Sequence, residues 1–487
     1  MQNKVVYIHS DELERLGNTG THPAGRSNRV HSLINSLDLL DISGQESEHG
    51  SALQTGLQRV HVVAPRAATE ADLLRYHSKG FVDFLLEPTQ TAEKRMDTDS
   101  EGSDYDTESG GSDASTSQSC DSRPSKKRRI QQTLADRFGL KDDCPPFPEL
   151  SDYTKLIAGS TLTAAETLLQ EAFEAVINWE GGRHHALRDR CSGFCYVQDV
   201  VLGIDHLRRH GKKKDTSNET GSTSSSNRKP RVMYLDLDVH FGDAPAAAFK
   251  HPYRYSSPLT SAQERQPKPQ VMTVSVHHHS PGFFPSTTEA GLTSPTSPTP
   301  CTISIPLRRA ASAPTYARIW QTCIEPLRTA FEPDYVVLLL GMDALAGDKL
   351  VDGAANWSTK GEGGVAWCIE RVMEWGCKLL VLGGGGYHRA NTARGWAVVT
   401  STLLGRDIPE DVPPHDYWAE YSPSFQMHVE SSTYLVFRAI RYNYEAQSYK
   451  HCGYAAGAKD ENTDTSLDAV EQAIDVLASR ITEIMAT

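Results

Sequence analysis

Short apolar runs recur along the chain and predict an α/β fold. The runs Val232–Leu237, Val271–Val276, Thr302–Ile305, Val336–Leu340 and Leu379–Leu382 are each bounded by Gly, Pro or polar residues, with helical stretches between several of them. Such near-continuous apolar runs read as parallel strands buried on both faces. Elsewhere the period changes. Between Leu156 and Ile177, the residues Leu162, Ala165, Leu169, Phe173 and Val176 fall on one stripe, predicting a helix that ends near Trp179. Leu467–Met485 places Val470, Ile474, Leu477 and Ile481 on one side and predicts a packed terminal helix. The fold expected is a single α/β domain over residues 1–487, with a central, mostly parallel sheet flanked by helices on both faces.

Polar segments interrupt this pattern at 88–142, 212–229, 253–268 and 291–300. The first is the largest. Between Asp97 and Asp121 it holds eight acidic residues, no Lys or Arg, and many Ser and Gly. Such a stretch buries too little apolar area to offset its ordering entropy, so disorder is expected there and over 212–229. The basic cluster Lys126-Lys127-Arg128-Arg129 reads equally as a nuclear import signal or as a solvated charge run. The other two segments read as surface loops.

Hydrophobic residues make up 38% of the 487, as expected of polar segments spliced into an ordinary core. The net charge of −13 argues against a direct nucleic-acid binder and suits either basic partners or plain solubility. Nine cysteines without a paired CxxC module read as reduced core thiols. The start MQNKVVYIHSDELERL lacks a signal-peptide core, and no run approaches a membrane span, so a soluble, intracellular protein is expected.

The strongest chemical signal is the segment from Val232 to Asp243, an apolar strand running into Asp236, Asp238, His240 and Asp243. Alternate residues of a strand share a face, so Asp236, Asp238 and His240 point the same way. Crowded on a buried strand, they call for a cation or for structural ion pairing. Asp343 ends another apolar run and is a candidate third ligand, because ligands gather outside the carboxyl ends of such strands. Two carboxylates and one imidazole leave a fourth position open, as in catalytic rather than structural sites. A third run enters Gly383-Gly384-Gly385-Gly386-Tyr387, where the backbone must approach a ligand closely and Tyr387 is projected by the turn. The pair His184-His185 follows Gly181-Gly182-Arg183. Asp236 and Asp243 can each accept from one of these rings and tune its charge. The triplet His277-His278-His279 reads as loop or rim with no firm role.

In this order, GGRHHA, SGFCY, YLDLDVHFGD, SPGFFP, LGMDALAGD and LGGGGYHRANTAR resemble the class I histone deacetylases, as do the opening VVYIHS and DDCP near residue 143. The similarity covers roughly Val5–Glu87 and Asp143–Tyr421 and looks closest to the single-subunit type and its fungal relatives. The resemblance implies an arginase/deacetylase-like fold and a zinc enzyme that removes acetyl groups from lysine side chains of histones and other proteins. Ferrous iron is also compatible with such a ligand set. Asp238, His240 and Asp343 would bind zinc. His185 would be general base and acid, with His184 its electrostatic neighbour, held by Asp243 and Asp236 respectively. Tyr387 would donate to the substrate carbonyl oxygen. Gly193, Phe194, Phe284 and Leu350 would line a narrow acetyl-lysine channel. Asp143 would accept from the substrate backbone at the rim, and Arg26 would lie by an internal cavity that handles acetate. A structural potassium ion would use Asp236, Asp238, His240, Ser275 and Val276. The implied setting is chromatin and transcriptional repression in the nucleus, with the cytoplasm also open. Acetylated histone tails and corepressor subunits would be the partners.

Two departures stand out. Phe241 replaces the second His of the family's HHGD, and Ala244-Pro245 replaces Gly-Val, which would alter local packing and bend the next helix start. The rival readings are a two-manganese ureohydrolase, a polyamine deacetylase and a non-catalytic scaffold. The first would leave Tyr387 without a role, and the complete set of catalytic side chains argues against the last.

Overall fold

The computed structural model describes residues 4–19, 24–41, 58–87, 134–213, 228–250, 268–351, 353–431 and 458–486. Nine strands form one sheet: β1 Val5–Ile8, β2 Leu40–Asp41, β3 Val60–Val63, β4 Ala175–Asn178, β5 Val232–Asp236, β6 Val271–His278, β7 Thr302–Leu307, β8 Tyr335–Leu339 and β9 Lys378–Leu382. Their order across the sheet is β2-β3-β1-β4-β9-β8-β5-β6-β7, and every neighbouring pair is parallel. All five expected strands are present within two residues at either end.

The alternation of side chains along each strand feeds two apolar layers. Met233, Leu235, Val336 and Leu338 enter the core on one face of the sheet. Val232, Tyr234, Val337 and Leu339 enter the core on the other, beneath the long Leu150–Leu168 helix. With both faces covered by helices, the interior strands can be apolar throughout. The terminal helix runs Asp464–Ala486 and buries Val470, Ile474, Leu477 and Ile481 as its spacing predicts. Arg318 fastens it, donating to Asp464, Asp468 and Glu471.

Several sequence expectations are corrected. The helix expected from Leu156 to beyond Ile177 stops at Leu168, and Val176 lies instead on β4. The His184-His185 loop therefore leaves a strand rather than a helix. His277 and His278 are not loop residues but the end of β6. His277 is buried between the Ser275 hydroxyl, 3.0 Å from Nδ1, and the Ala290 carbonyl, 2.9 Å from Nε2. The segment expected to be disordered over 88–142 lies outside the described residues as far as 133, and the cluster Lys126–Arg129 with it. Its tail belongs to the fold, because Phe138 is buried against the rings of Phe81 and Phe84. Of the other segments, 214–227 and 251–267 also lie outside the described residues, and 291–300 runs without helix or strand.

Phe241 is buried with its ring 4.9 Å from that of His277, so an apolar contact fills the place of the missing imidazole. The Asp243–Ala248 helix starts without a break, since Pro245 falls in its first turn, where a missing N–H costs nothing. The described cysteines form no disulfides, and every one but Cys377 is buried. No described helix is long and apolar enough to cross a membrane.

Ile474, on the inward face of the terminal helix, is fully buried. Ile474→Ala is expected to destabilise the domain by about 2–5 kcal/mol. Urea unfolding checks this, and an unchanged midpoint would mean that the helix is not part of the core.

Candidate active site

Five neighbouring strands, β4, β9, β8, β5 and β6, deliver their carboxyl ends to one edge of the sheet, where every group singled out for chemistry is found. Strand pairing of β5 ends at Asp236 and the chain then bends. Leu237 and Val239 still enter the core, so Asp236 and Asp238 keep a common side, as the alternation predicts.

Asp238, His240 and Asp343 converge. One ligand atom from each lies within 4.8 Å of the others. His240 Nδ1 is 3.0 Å from Asp238 Oδ1 and 3.1 Å from Asp343 Oδ2. Both carboxylates are fully buried. Each also accepts a backbone N–H: Asp238 from Gly385 at 2.7 Å, and Asp343 from Val239 at 3.2 Å. These bonds orient the carboxylates without neutralising them. Burial and the charge of Asp238 push Asp343 up to about 7. Burial opposes protonation of His240, but the two carboxylates outweigh it and raise the ring to about 10. Two buried carboxylates beside one imidazole form a mixed donor set that fits a zinc-class ion with an open position. Asp236 is not one of this set.

Next to the triad, two imidazoles lie 3.9 Å apart between ring centres. His184 Nδ1 is 2.9 Å from Asp236 Oδ2, and His185 Nδ1 is 2.8 Å from Asp243 Oδ1. Their surroundings pull them apart. Burial opposes a charge on His184, yet Asp236 and Asp238 raise it to about 9. Burial and the neighbouring charge of His184 lower His185 to about 4, against the pull of Asp243. His185 therefore stands neutral, with Nδ1 bonded to Asp243 and Nε2 available to accept. Its ring lies 5.9 Å from that of His240 and packs edge-on against Phe284.

Tyr387 reaches the same space, with its ring 6.3 Å from His240 and 5.9 Å from Phe194. Burial, then the charges of Asp343 and Asp238, keep its phenol protonated. Gly193 closes the wall between His185 and Phe284: φ is +54°, and a Cβ would stand 2.6 Å from the His185 ring and 2.9 Å from Phe284. Asp143 holds this turn by accepting from the Gly193 N–H at 2.8 Å. Phe284 and Leu350 are 38% and 57% exposed. Arg26 lies on the far side of the glycine turn, donating to the Gly384 carbonyl at 2.9 Å over the face of Trp396. Asp236 and Ser275 stand side by side in register on β5 and β6, with Val276 next along the chain.

Two positioning carboxylates escaped sequence reasoning. Buried Asp199 accepts from the Gly182 and Arg183 N–H groups and so fixes the turn before His184. Asp348 accepts from the N–H groups of Tyr387, His388 and Leu350, tying the glycine turn to the segment around Leu350. Asp348 closes the quoted segment LGMDALAGD, which was the available signal; Asp199 had none.

A parallel α/β sheet with an open carboxylate–imidazole metal site at its strand ends, flanked by a paired base and a tyrosine, defines a metal-dependent hydrolase. The histone deacetylase domain model matches residues 26–403. Histone deacetylase 8 of Xenopus tropicalis is 32% identical over 428 residues, which are 88% of this chain and 91% of that protein. Its Danio rerio counterpart is 31% identical over 428 residues, 88% and 89% of the two chains. The Xenopus laevis protein is 36% identical over 295 residues, 61% and 79%. The chain belongs to the histone deacetylase family.

A Cβ at Gly385 would stand 2.1 Å from Asp343 Oδ2 and 2.8 Å from Asp238 Oδ2. Gly385→Ala is therefore expected to displace both ligands and weaken zinc binding at least tenfold, about 1.4 kcal/mol. Competition against a zinc indicator reads this directly; unchanged affinity would separate the glycine turn from the metal. Because His240 and Asp343 hold protons that a cation must displace, zinc affinity is also expected to fall as pH is lowered through neutrality. A pH-independent affinity would contradict that competition.

Proposed function

We propose that the chain hydrolyses the acetyl amide of lysine side chains in histones and other proteins, releasing acetate. One arrangement carries the reading: a neutral imidazole, His185, bonded to Asp243 at 2.8 Å beside the triad Asp238, His240 and Asp343. A base that is deprotonated at neutral pH and adjoins a metal site is what amide hydrolysis needs.

Asp238, His240 and Asp343 would hold zinc, which when bound supplies a Lewis acid for the carbonyl and lowers the pKa of water. His185 takes the proton of the attacking water and later delivers one to the leaving lysine nitrogen. Asp243 fixes the tautomer of His185 through Nδ1, so Nε2 does the transfer. His184, held charged by Asp236, supplies a fixed positive field next to the reacting carbonyl. Tyr387 donates its hydroxyl to the carbonyl oxygen as negative charge develops there. Gly193, Phe194, Phe284 and Leu350 surround the lysine stem, and Asp143 accepts from the substrate backbone at the rim. Arg26 attracts the acetate product from behind the glycine turn.

A potassium ion at Asp236, Ser275, Val276 and the backbone of Asp238 and His240 would brace the same strand ends, a reading supported by the Asp236–Ser275 register. The acidic net charge suits basic histone tails, and the family setting supports nuclear action with corepressor subunits.

Tyr387→Phe and His185→Ala are each expected to lower turnover of an acetyl-lysine peptide by about 10²–10⁴-fold, with fold and zinc content retained. Near-normal turnover by both variants would remove the mechanism. Asp343→Asn is expected to weaken zinc binding, and metal analysis at limiting zinc checks it; unchanged stoichiometry and affinity would exclude Asp343 as a ligand.

A further inference from the structure

A second group of metal-binding side chains meets at the same edge of the sheet, outside the pocket. His9 follows β1, Glu14 lies in the Asp11–Gly17 helix and His31 in the Arg26–Ser36 helix. One ligand atom from each lies within 4.8 Å of the others. The two imidazole rings are 4.2 Å apart.

The free atoms point inward. His31 Nδ1 lies 2.8 Å from the Tyr7 hydroxyl, which leaves Nε2 for the cluster. That nitrogen has no hydrogen-bond partner although the residue is only 5% exposed. Its nearest carboxylate oxygen is Glu180 Oε1 at 3.6 Å, and His9 Nε2 stands 3.7 Å from Glu14 Oε2. His9 Nδ1 is likewise buried without a partner. Neither gap is a hydrogen bond. The His9–Glu14 gap approaches the edge of a coordination tetrahedron, since ligands about 2.0–2.2 Å from a common centre stand about 3.3–3.6 Å from each other.

The charges agree with this geometry. Burial and the neighbouring His31 lower His9 to about 3, so its ring is neutral and free to donate a lone pair. Glu14 is oriented by Asn28, and Glu180 by Ser27, each through a bond of 2.5 Å. Glu180 is also close to Arg26, so part of its charge is already matched and it is the weakest of the four donors. Two imidazoles and a carboxylate form a donor set suited to zinc-class ions.

We propose that His9, Glu14 and His31 form a second divalent-metal site, separate from the Asp238–His240–Asp343 site, with Glu180 at its edge. The ion would tie the end of β1 to the Arg26–Ser36 helix. The competing arrangement is a protonated His31 paired with Glu180, which needs no metal.

The probe is zinc itself, added to the full chain and followed by exhaustive dialysis. The wild type is expected to retain one more zinc per chain than His9→Gln or Glu14→Gln. Both variants should keep their acetyl-lysine turnover, which separates loss of this site from loss of the catalytic ion. A crystal of the wild type measured at the zinc edge should show anomalous density among His9, Glu14 and His31. Zinc content equal to that of wild type in the Glu14→Gln variant overturns the site. So does a zinc-soaked crystal without that density, a readout that stands even where a variant fails to fold.

Discussion

Two fully buried carboxylates, Asp238 and Asp343, share a single imidazole, and much of the surrounding architecture follows from that crowding. Like charges this close in a dry interior cannot both remain ionised without a compensating positive charge. Asp343 is accordingly pushed up, and His240 is drawn to take a proton. A divalent ion resolves the conflict where single protons do so only in part. The triad is thus unstable as a purely structural ion pair and well suited to holding metal.

The sheet supplies the rigidity that such a site requires. The triad leaves adjacent strands, β5 and β8, whose register is fixed from Val232 opposite Tyr335 to Asp236 opposite Leu339. Loops complete the site, and each is held by a carboxylate of its own: the His184-His185 loop by Asp199, the Tyr387 turn by Asp348, the Gly193 turn by Asp143. A loop anchored through its backbone N–H groups can place a side chain almost as firmly as a strand does. Asp236 and Asp238 keep His184 charged, while burial and that charge keep His185 neutral.

The half of the fold that carries the metal was readable in the chain because its strands are unbroken apolar runs ending in Asp or Gly. The other half was not. Strands β1 to β3 are short and lie toward one side of the sheet, and β4 continues the helical spacing of the preceding segment closely enough for Val176 to pass as helical. His277 looked like rim because three adjacent histidines resemble a loop, whereas its ring is buried against Phe241. The candidate groups were named from motifs in order, and the fold brings them together at one edge of the sheet. Asp199 accepts from the Gly182 and Arg183 N–H groups and the Thr161 hydroxyl, all remote in sequence, which leave no periodic trace. The His9–Glu14–His31 cluster draws on a strand end and two helices, so no local pattern announces it.

The central claim is that the buried carboxylate pair exists to hold a catalytic metal for lysine deacetylation. The most direct test is turnover of an acetylated histone-tail peptide by chelator-stripped protein, before and after zinc is restored. The account predicts release of acetate only when zinc is present, with the stripped protein folded but inactive. Equal turnover without metal, or none after zinc has returned to Asp238, His240 and Asp343, would contradict it.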